Sequence, residues 1–202
     1  MPKTIVAIVG SYRKAGVVET AVDEILRAAQ DNGVQTTKIR LIDKHIEFCT
    51  NCRACAQNPG KVRGNCRHND DMASILDQVD SADGLVIASP INFYNITAVT
   101  RRFMERLIVY GYWPWGTGAP KFRITESGKR AVLVTSSAAP AFLGKIFFRP
   151  AVSALRAIAR CFGARVVVKL YFGLVAQKPD STLSPKDLSR AYNAGIKLVR
   201  NI

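Results

Sequence analysis

Residues 4–20 read TIVAIVGSYRKAGVVET. Thr4–Val9 is an unbroken apolar, β-branched run, the pattern of a strand covered on both faces. From Val18 the period changes. Val18, Val22, Ile25, Leu26 and Ala29 recur at helical spacing, and Gly33 stands where a helix would end. Between the two lies Gly10–Gly16, a turn that leaves a strand end and enters a helix N-terminus. Free backbone N–H groups and the helix dipole favour an anion at such a place. Ser11 adds a hydroxyl, Arg13 and Lys14 add charge, and Gly10 and Gly16 permit a tight path. Neither GxGxxG nor GxxxxGK[ST] is present, so dinucleotide and Walker-type sites lack their motif. An ordinary βα turn with basic decoration fits these residues equally well.

The same alternation continues along the chain. Gln35–Ile42 reads as a second strand and Gly84–Ala88 as a third. Ala131–Thr135 and Val166–Tyr171 read as the fourth and fifth. Between them, Asp70 and Asp71 offer N-caps to a stripe of Met72, Ile75, Leu76 and Val79. Ile96, Val99, Phe103 and Leu107 form another helical stripe. Pro150 and Gly163 frame a helix in the usual Pro-first, Gly-last order. Ser184-Pro185-Lys186-Asp187 opens a last helix with a capping-box spacing. Buried strands alternating with amphipathic helices predict one α/β domain over residues 1–202, an open five-stranded parallel sheet with helices on both faces. Two segments stand outside that alternation: a cysteine-rich loop at 49–66 and an aromatic, Gly/Pro-rich excursion at 109–128.

Composition removes other classes. With 48% hydrophobic and 22% charged residues, the chain is not disordered. No apolar run approaches the ~20 residues that span a bilayer, and Ile5–Val9 is too brief for a signal-peptide core, so a cytoplasmic protein is expected. There are 29 Lys+Arg against 15 Asp+Glu, a net charge of +14. Such a charge suggests nucleic acid. The basic residues are nevertheless scattered, and no helix-turn-helix, zinc-finger or RNP-type signal accompanies them. Anionic small molecules are the expected partners instead.

In an open α/β sheet, ligands bind beyond the carboxyl ends of the strands, where the strand order reverses. Three loops qualify: 10–20, 89–95 (SPINFYN) and 135–140 (TSSAAP). In the second, Pro90 directs the chain, Asn92 and Asn95 offer amides, and Phe93 and Tyr94 offer flat faces for a heteroaromatic ring. In the third, Thr135, Ser136 and Ser137 are small hydroxyl residues that let backbone approach a ring. One loop for a phosphate and two for a flat ring describe a mononucleotide pocket.

GSYRKAG, CTNCRAC with Cys66 and Asp70–Met72, ADGLVIASPINFYN and Phe103–Arg106, in this order, resemble the NADPH-dependent FMN reductase family of flavodoxin-like fold, near its iron–sulfur flavoprotein branch. The resemblance implies FMN, with its phosphate at Ser11, Arg13, Lys14, Gly16, Val17 and Val18. It places Pro90, Asn92, Phe93, Tyr94 and Asn95 along the ribityl chain and ring, and Thr135, Ser136 and Ser137 at the far ring edge. It further implies NAD(P)H as co-substrate and a quinone, flavin or similar acceptor. The flavin N5 then carries the chemistry, so no catalytic side chain is demanded. In that family Asn-Thr or Asn-Ser often stands where this chain has Val17-Val18, so Thr20, Arg13 or Lys14 would supply the missing phosphate contact. The family's common Tyr is replaced by Asn92.

Cys49-x2-Cys52-x2-Cys55 matches the compact part of a cluster-binding run, and Cys66 follows after ten residues. A [4Fe–4S] cluster, a zinc ion and free thiols are the three readings of these four cysteines. Two segments invite a cover or an interface. Tyr110, Tyr112, Trp113 and Trp115 would roof the pocket or join a homodimer or homotetramer. Phe142-Leu143-Gly144-Lys145-Ile146-Phe147-Phe148-Arg149-Pro150 would cover the flavin or meet a second subunit, with an anionic membrane surface as the alternative. The rival functions are an FMN electron carrier, with or without an Fe–S centre, fed by a protein partner, and, more remotely, a nucleic-acid binder.

Overall fold

The computed structural model describes residues 2–176 and 181–202. Eleven principal elements follow the expected alternation among these residues. They are β1 (Thr4–Val9), α1 (Val17–Gln30), β2 (Gln35–Arg40), α2 (Met72–Ser81), β3 (Gly84–Ala88), α3 (Ala98–Arg106), β4 (Arg130–Ser136), α4 (Ala141–Phe147), α5 (Arg149–Cys161), β5 (Arg165–Phe172) and α6 (Pro185–Val199). The five strands form one sheet in the order β2-β1-β3-β4-β5, and every pairing in it is parallel. The order reverses between β1 and β3, because the chain moves outward to β2 and then returns past β1. This is the flavodoxin-like order, and its switch point lies between β1 and β3.

Strand alternation divides the core between the two faces. Val6, Ile8, Ile87 and Leu133 pack with α2, α3 and α5 on one side. Ile5, Ala7, Val9, Val86, Val132 and Val134 pack with α1 and α6 on the other. Both faces of the central strands are therefore apolar, which is why β1 and β3 read as continuous hydrophobic runs. Helices α1 and α6 meet closely at Gly195. A Cβ there would stand 2.4 Å from the Ile25 carbonyl oxygen, so only glycine permits the approach. The capping signal of α6 is realised: Ser184 Oγ accepts from the Asp187 N–H at 3.1 Å.

Several boundaries differ from the sequence reading for local reasons. Strand β2 stops at Arg40 because Leu41–Asp43 turn into a 3-10 helix, leaving Ile42 outside the strand. Ile96 does not begin α3. It pairs with Ile91 in a two-residue ladder, and Thr97 caps the helix by accepting from the Thr100 N–H. Leu107 lies beyond α3 in a 3-10 turn. Asp71 occupies the N-cap position of α2 without capping it, since its carboxylate accepts from the His45 N–H. Asp70 instead accepts from Met72 N–H at 3.0 Å. Residues 141–147, which overlap the 142–150 segment read as a cover or subunit contact, form the separate helix α4.

Candidate functional site

A cleft of about 530 Å³ opens at the carboxyl ends of β1, β3 and β4, at the switch point. Its volume falls within the range usual for small-molecule sites. The first wall is the β1–α1 turn. Gly10 continues the β1–β3 pairing through its N–H to the Ala88 carbonyl at 2.8 Å. A Cβ on Gly10 would lie 1.7 Å from Thr100 Oγ1, so the turn can pass only as glycine. Ser11 is buried, and its Oγ accepts from the Arg13 N–H at 3.2 Å, which shapes the turn. Ala15 lies in the left-handed region at φ 53°, and its N–H donates to Glu19 Oε2 at 2.9 Å. Gly16 is the N-cap of α1 and supplies no side chain. The first N–H groups of this long helix therefore meet the cleft without a side-chain cap, and an anion can satisfy them.

Charge agrees with that geometry. Arg13 and Lys14 line the cleft, and no carboxylate does so among the described residues. The acid in the first turn of α1, Glu19, is buried and engaged by Lys38 Nζ and Arg40 Nε, each at 3.1 Å. It braces the helix start against β2. Thr20, expected as a substitute phosphate ligand, does not line the cleft; its hydroxyl donates to the Ala15 carbonyl at 3.3 Å. Arg13 and Lys14 keep that role open.

The second wall is a hairpin. Ile91–Asn92 pairs with Asn95–Ile96, and the tip residues Phe93 and Tyr94 both have positive φ, 43° and 71°. Bulky residues rarely adopt this conformation, which costs about 1–3 kcal/mol each. Pro90, Ile91 and Asn92 line the cleft. Phe93, Tyr94 and Asn95 do not. The hairpin turn carries Phe93 outward to 97% exposure, and Tyr94 packs edge-on against Phe148 with ring centroids 5.6 Å apart. Asn95 Oδ1 accepts from the Ile96 N–H. The aromatic platform expected from the sequence is therefore turned away from the cleft.

The third wall is the end of β4. Ser136, Ser137 and Ala138 line the cleft, whereas Thr135 faces the opposite side of the sheet, because successive strand residues alternate. The Ser136 hydroxyl has no partner among the described residues and is free for a ligand. Ser137 is committed: its N–H donates to the Phe172 carbonyl, and its Oγ accepts from Tyr171 OH at 2.7 Å. Val175, Ala176, Ser181 and Thr182 close the cleft, and no motif in the sequence marked them.

Sequence reasoning also missed the hydroxyl cluster that locks the first two walls together. Thr97 Oγ1 donates to the Gly10 carbonyl at 2.6 Å and lies 2.7 Å from Thr100 Oγ1. The Ser89 hydroxyl accepts from the Thr97 N–H at 3.1 Å. Buried hydroxyls so paired hold both turns rigidly.

The cysteine loop and the 109–128 excursion pack on each other, away from this cleft. Trp113 N–H donates to the Ala56 carbonyl, and Gly64 N–H to the Val109 carbonyl. The Arg53 guanidinium lies 3.4 Å from the Trp113 ring centroid. No residue of 109–128 lines the cleft, so the expected roof is a buttress for the cysteine loop. No residue of α4 lines it either, and Phe142, Ile146 and Phe147 are exposed. Cys55 is buried, Cys52 exposed, and Cys49 and Cys66 lie between. Burial, with Cys66, Cys49 and Cys52 nearby, pushes the Cys55 thiol up to about 11. Cys66 Sγ accepts from Arg106 Nη2 at 3.4 Å. Among the described residues no three thiols, imidazoles or carboxylates converge so as to hold a metal ion. The loop as folded thus does not present a formed cluster or zinc site.

A parallel sheet in this order, with a cleft at its switch point, defines a flavodoxin-like fold. The chain belongs to the NADPH-dependent FMN reductase family, whose model matches residues 3–176. An iron-sulfur flavoprotein of Archaeoglobus fulgidus is 32% identical over 109 residues, covering 54% of this chain and 47% of that protein. An iron-sulfur flavoprotein of Methanocaldococcus jannaschii is 33% identical over 102 residues, 50% of each. The chain thus spans about half the length of these curated relatives. Among solved structures, the NAD(P)H:quinone oxidoreductase from Methanothermobacter marburgensis superposes with a TM-score of 0.71 at 15% identity over 96% of both chains. An FMN-dependent NADH-azoreductase from Bacillus anthracis, in complex with FMN, does so at 0.68 and 17% identity, over 98% of this chain and 100% of that one. At these identities the likeness is one of fold. No helix among the described residues is long and apolar enough to cross a membrane.

Proposed function

We propose that residues 1–202 form one flavodoxin-like domain that holds FMN in the switch-point cleft and acts as an NAD(P)H oxidoreductase toward a quinone, flavin or similar acceptor. The observation that carries this reading is the uncapped start of α1, facing a cleft that bears two cations and no acid among the described residues. The unpartnered Ser136 hydroxyl on the opposite wall fits the same ligand. The cofactor supplies electron transfer between nicotinamide and acceptor when bound. Backbone N–H groups at Gly16–Val18, the Ser11 hydroxyl, and Arg13 and Lys14 neutralise and orient its phosphate. Pro90 and Asn92 border the ring on the hairpin side, and Ser136, Ser137 and Ala138 on the β4 side. Tyr171 fixes Ser137 and so keeps that edge in place. The +14 charge draws anionic NAD(P)H toward the surface. A homodimer or homotetramer joined through the exposed apolar face of α4 accords with Phe142, Ile146 and Phe147 standing in solvent.

The test is reconstitution with FMN followed by NADH and NADPH oxidation with a benzoquinone as acceptor. Flavin binding with quinone-dependent nicotinamide oxidation supports the reading. Bound flavin that neither nicotinamide reduces would replace it with the electron carrier fed by a protein partner. Failure to bind flavin would remove both. Iron and acid-labile sulfide assays after anaerobic purification report on the cysteine loop separately.

A further inference from the structure

A second concave site lies on the opposite face of the sheet from the phosphate-type turn. Between Glu126 and Asp180 the chain has no acidic residue, although nine Lys and Arg fall there. Part of this charge is gathered around one pocket of about 260 Å³ between α5 and the edge of the sheet. Arg149, Val152, Ser153 and Arg156 follow one another at helical spacing and present one face of α5 to it. Leu133 pairs with Lys169 and Thr135 with Tyr171 across β4 and β5, so all four share the facing side of the sheet. The interior is apolar, with Leu133, Val152 and Leu155, while Arg149, Arg156 and Lys169 stand around it. None of these three cations joins an ion pair among the described residues, and no acid lines the pocket.

Thr135 is only 3% exposed, and its Oγ1 is buried without a hydrogen-bond partner. A buried hydroxyl left unpaired is unfavourable, because it has given up its water partners without replacement. Here it belongs to a residue that lines this same pocket. An apolar chamber with a cationic surround and a vacant hydroxyl matches a ligand with an apolar body and one negative head. Inorganic phosphate has the charge but nothing to fill the chamber.

We infer that the pocket between α5 and the β4–β5 edge binds a small apolar-bodied monoanion, an aryl or branched alkyl carboxylate, with Arg149, Arg156 and Lys169 as counter-ions and Thr135 as hydrogen-bond partner. The site is separate from the switch-point cleft. The two share one link, since Tyr171 lines this pocket and its hydroxyl donates to Ser137, which lines the cleft.

Isothermal titration calorimetry with 2-naphthoate tests this on the protein both with and without FMN. One naphthoate per chain should bind in both forms. The neutral 2-naphthalenemethanol and inorganic phosphate should each bind at least about tenfold more weakly, the scale of a charge-assisted hydrogen bond. The double variant Arg156→Gln/Lys169→Gln should lose about tenfold or more, and Thr135→Val should also weaken naphthoate, all with FMN affinity unchanged. Three results would overturn the assignment: no naphthoate bound at millimolar concentration, competition between naphthoate and FMN, or equal affinity in the wild type and the double variant.

Discussion

Replacing Asp70 by asparagine tests what holds the cysteine loop in place. Asp70 and Arg106 form an ion pair with both side chains about 1% exposed. Arg106 Nη2 donates to Asp70 Oδ1 at 3.2 Å, and its Nη1 also donates to the Glu47 carbonyl at 2.8 Å. Asp70 in turn accepts from the N–H groups of Glu47 and Met72, at 2.8 and 3.0 Å. The pair thus joins both ends of the loop to α2 and α3. Burial opposes ionisation of Asp70, but Arg106 and the two N–H groups outweigh it and hold the carboxyl below its ordinary value. Asp70→Asn leaves a buried guanidinium with no counter-ion and turns an amide donor toward other donors. Breaking such a pair from one side costs about 3–5 kcal/mol. At about 2–4 °C per kcal/mol for a chain of this size, Tm should fall by about 6–20 °C. Urea denaturation followed by circular dichroism gives the free energy directly. The double replacement Asp70→Leu/Arg106→Met should recover most of the loss, because the desolvation cost disappears with both charges. The sign with pH follows from the lowered carboxyl. Its contribution is complete above the ordinary Asp value near about 4 and is lost as pH falls through that value to the folded one. Wild type should therefore lose stability on acidification more steeply than Asp70→Asn. A cost below about 1 kcal/mol, or identical acid profiles, would refute the reasoning.

Ser11→Ala should weaken FMN by roughly 10–100-fold in fluorescence titration, since a hydrogen bond to a charged group contributes about 1.5–3 kcal/mol, while thermal stability changes little. Gly10→Ala should destabilise by about 1–3 kcal/mol in chemical denaturation, because its Cβ would collide with Thr100 Oγ1 in a cluster that has no room to relax. Alkylation with iodoacetamide near neutral pH should label Cys52 first. The Ala54 N–H draws its thiol below the ordinary value, Thr50 and Arg67 assist against desolvation, and the side chain is exposed, whereas burial holds Cys55 up at about 11. Peptide mapping that found Cys55 labelled as fast as Cys52 would contradict the folded arrangement of the loop.

The sheet and its order of elements were legible because they rest on local patterns. Gly84–Ala88 is apolar on both faces, and the structure buries all five of its residues. The turn at Gly10–Gly16 was equally legible, since a strand end, two glycines and a helix start are contiguous in sequence. Ser11, Arg13, Lys14, Gly16, Val17 and Val18 all line the cleft. The other walls were read less well, and the errors share a cause. Thr135 and Ser136 are neighbours of similar chemistry, yet strand alternation sends one to each face. Phe93 and Tyr94 look like a ring platform, but positive φ at both tip residues turns them outward.

By itself, then, the sequence determined the alternation of strands and helices and the place of the switch-point cleft. Each depends on residues a few positions apart. Only the tertiary structure decided which side chains meet in the cleft. The Thr97 bond to the Gly10 carbonyl spans 87 positions, and Val175 and Thr182 reach the cleft from the far end of the chain. The 109–128 excursion went to the cysteine loop, where Arg53 stacks on Trp113. Such pairings follow from how two remote surfaces fit, and no periodicity in a single segment encodes that.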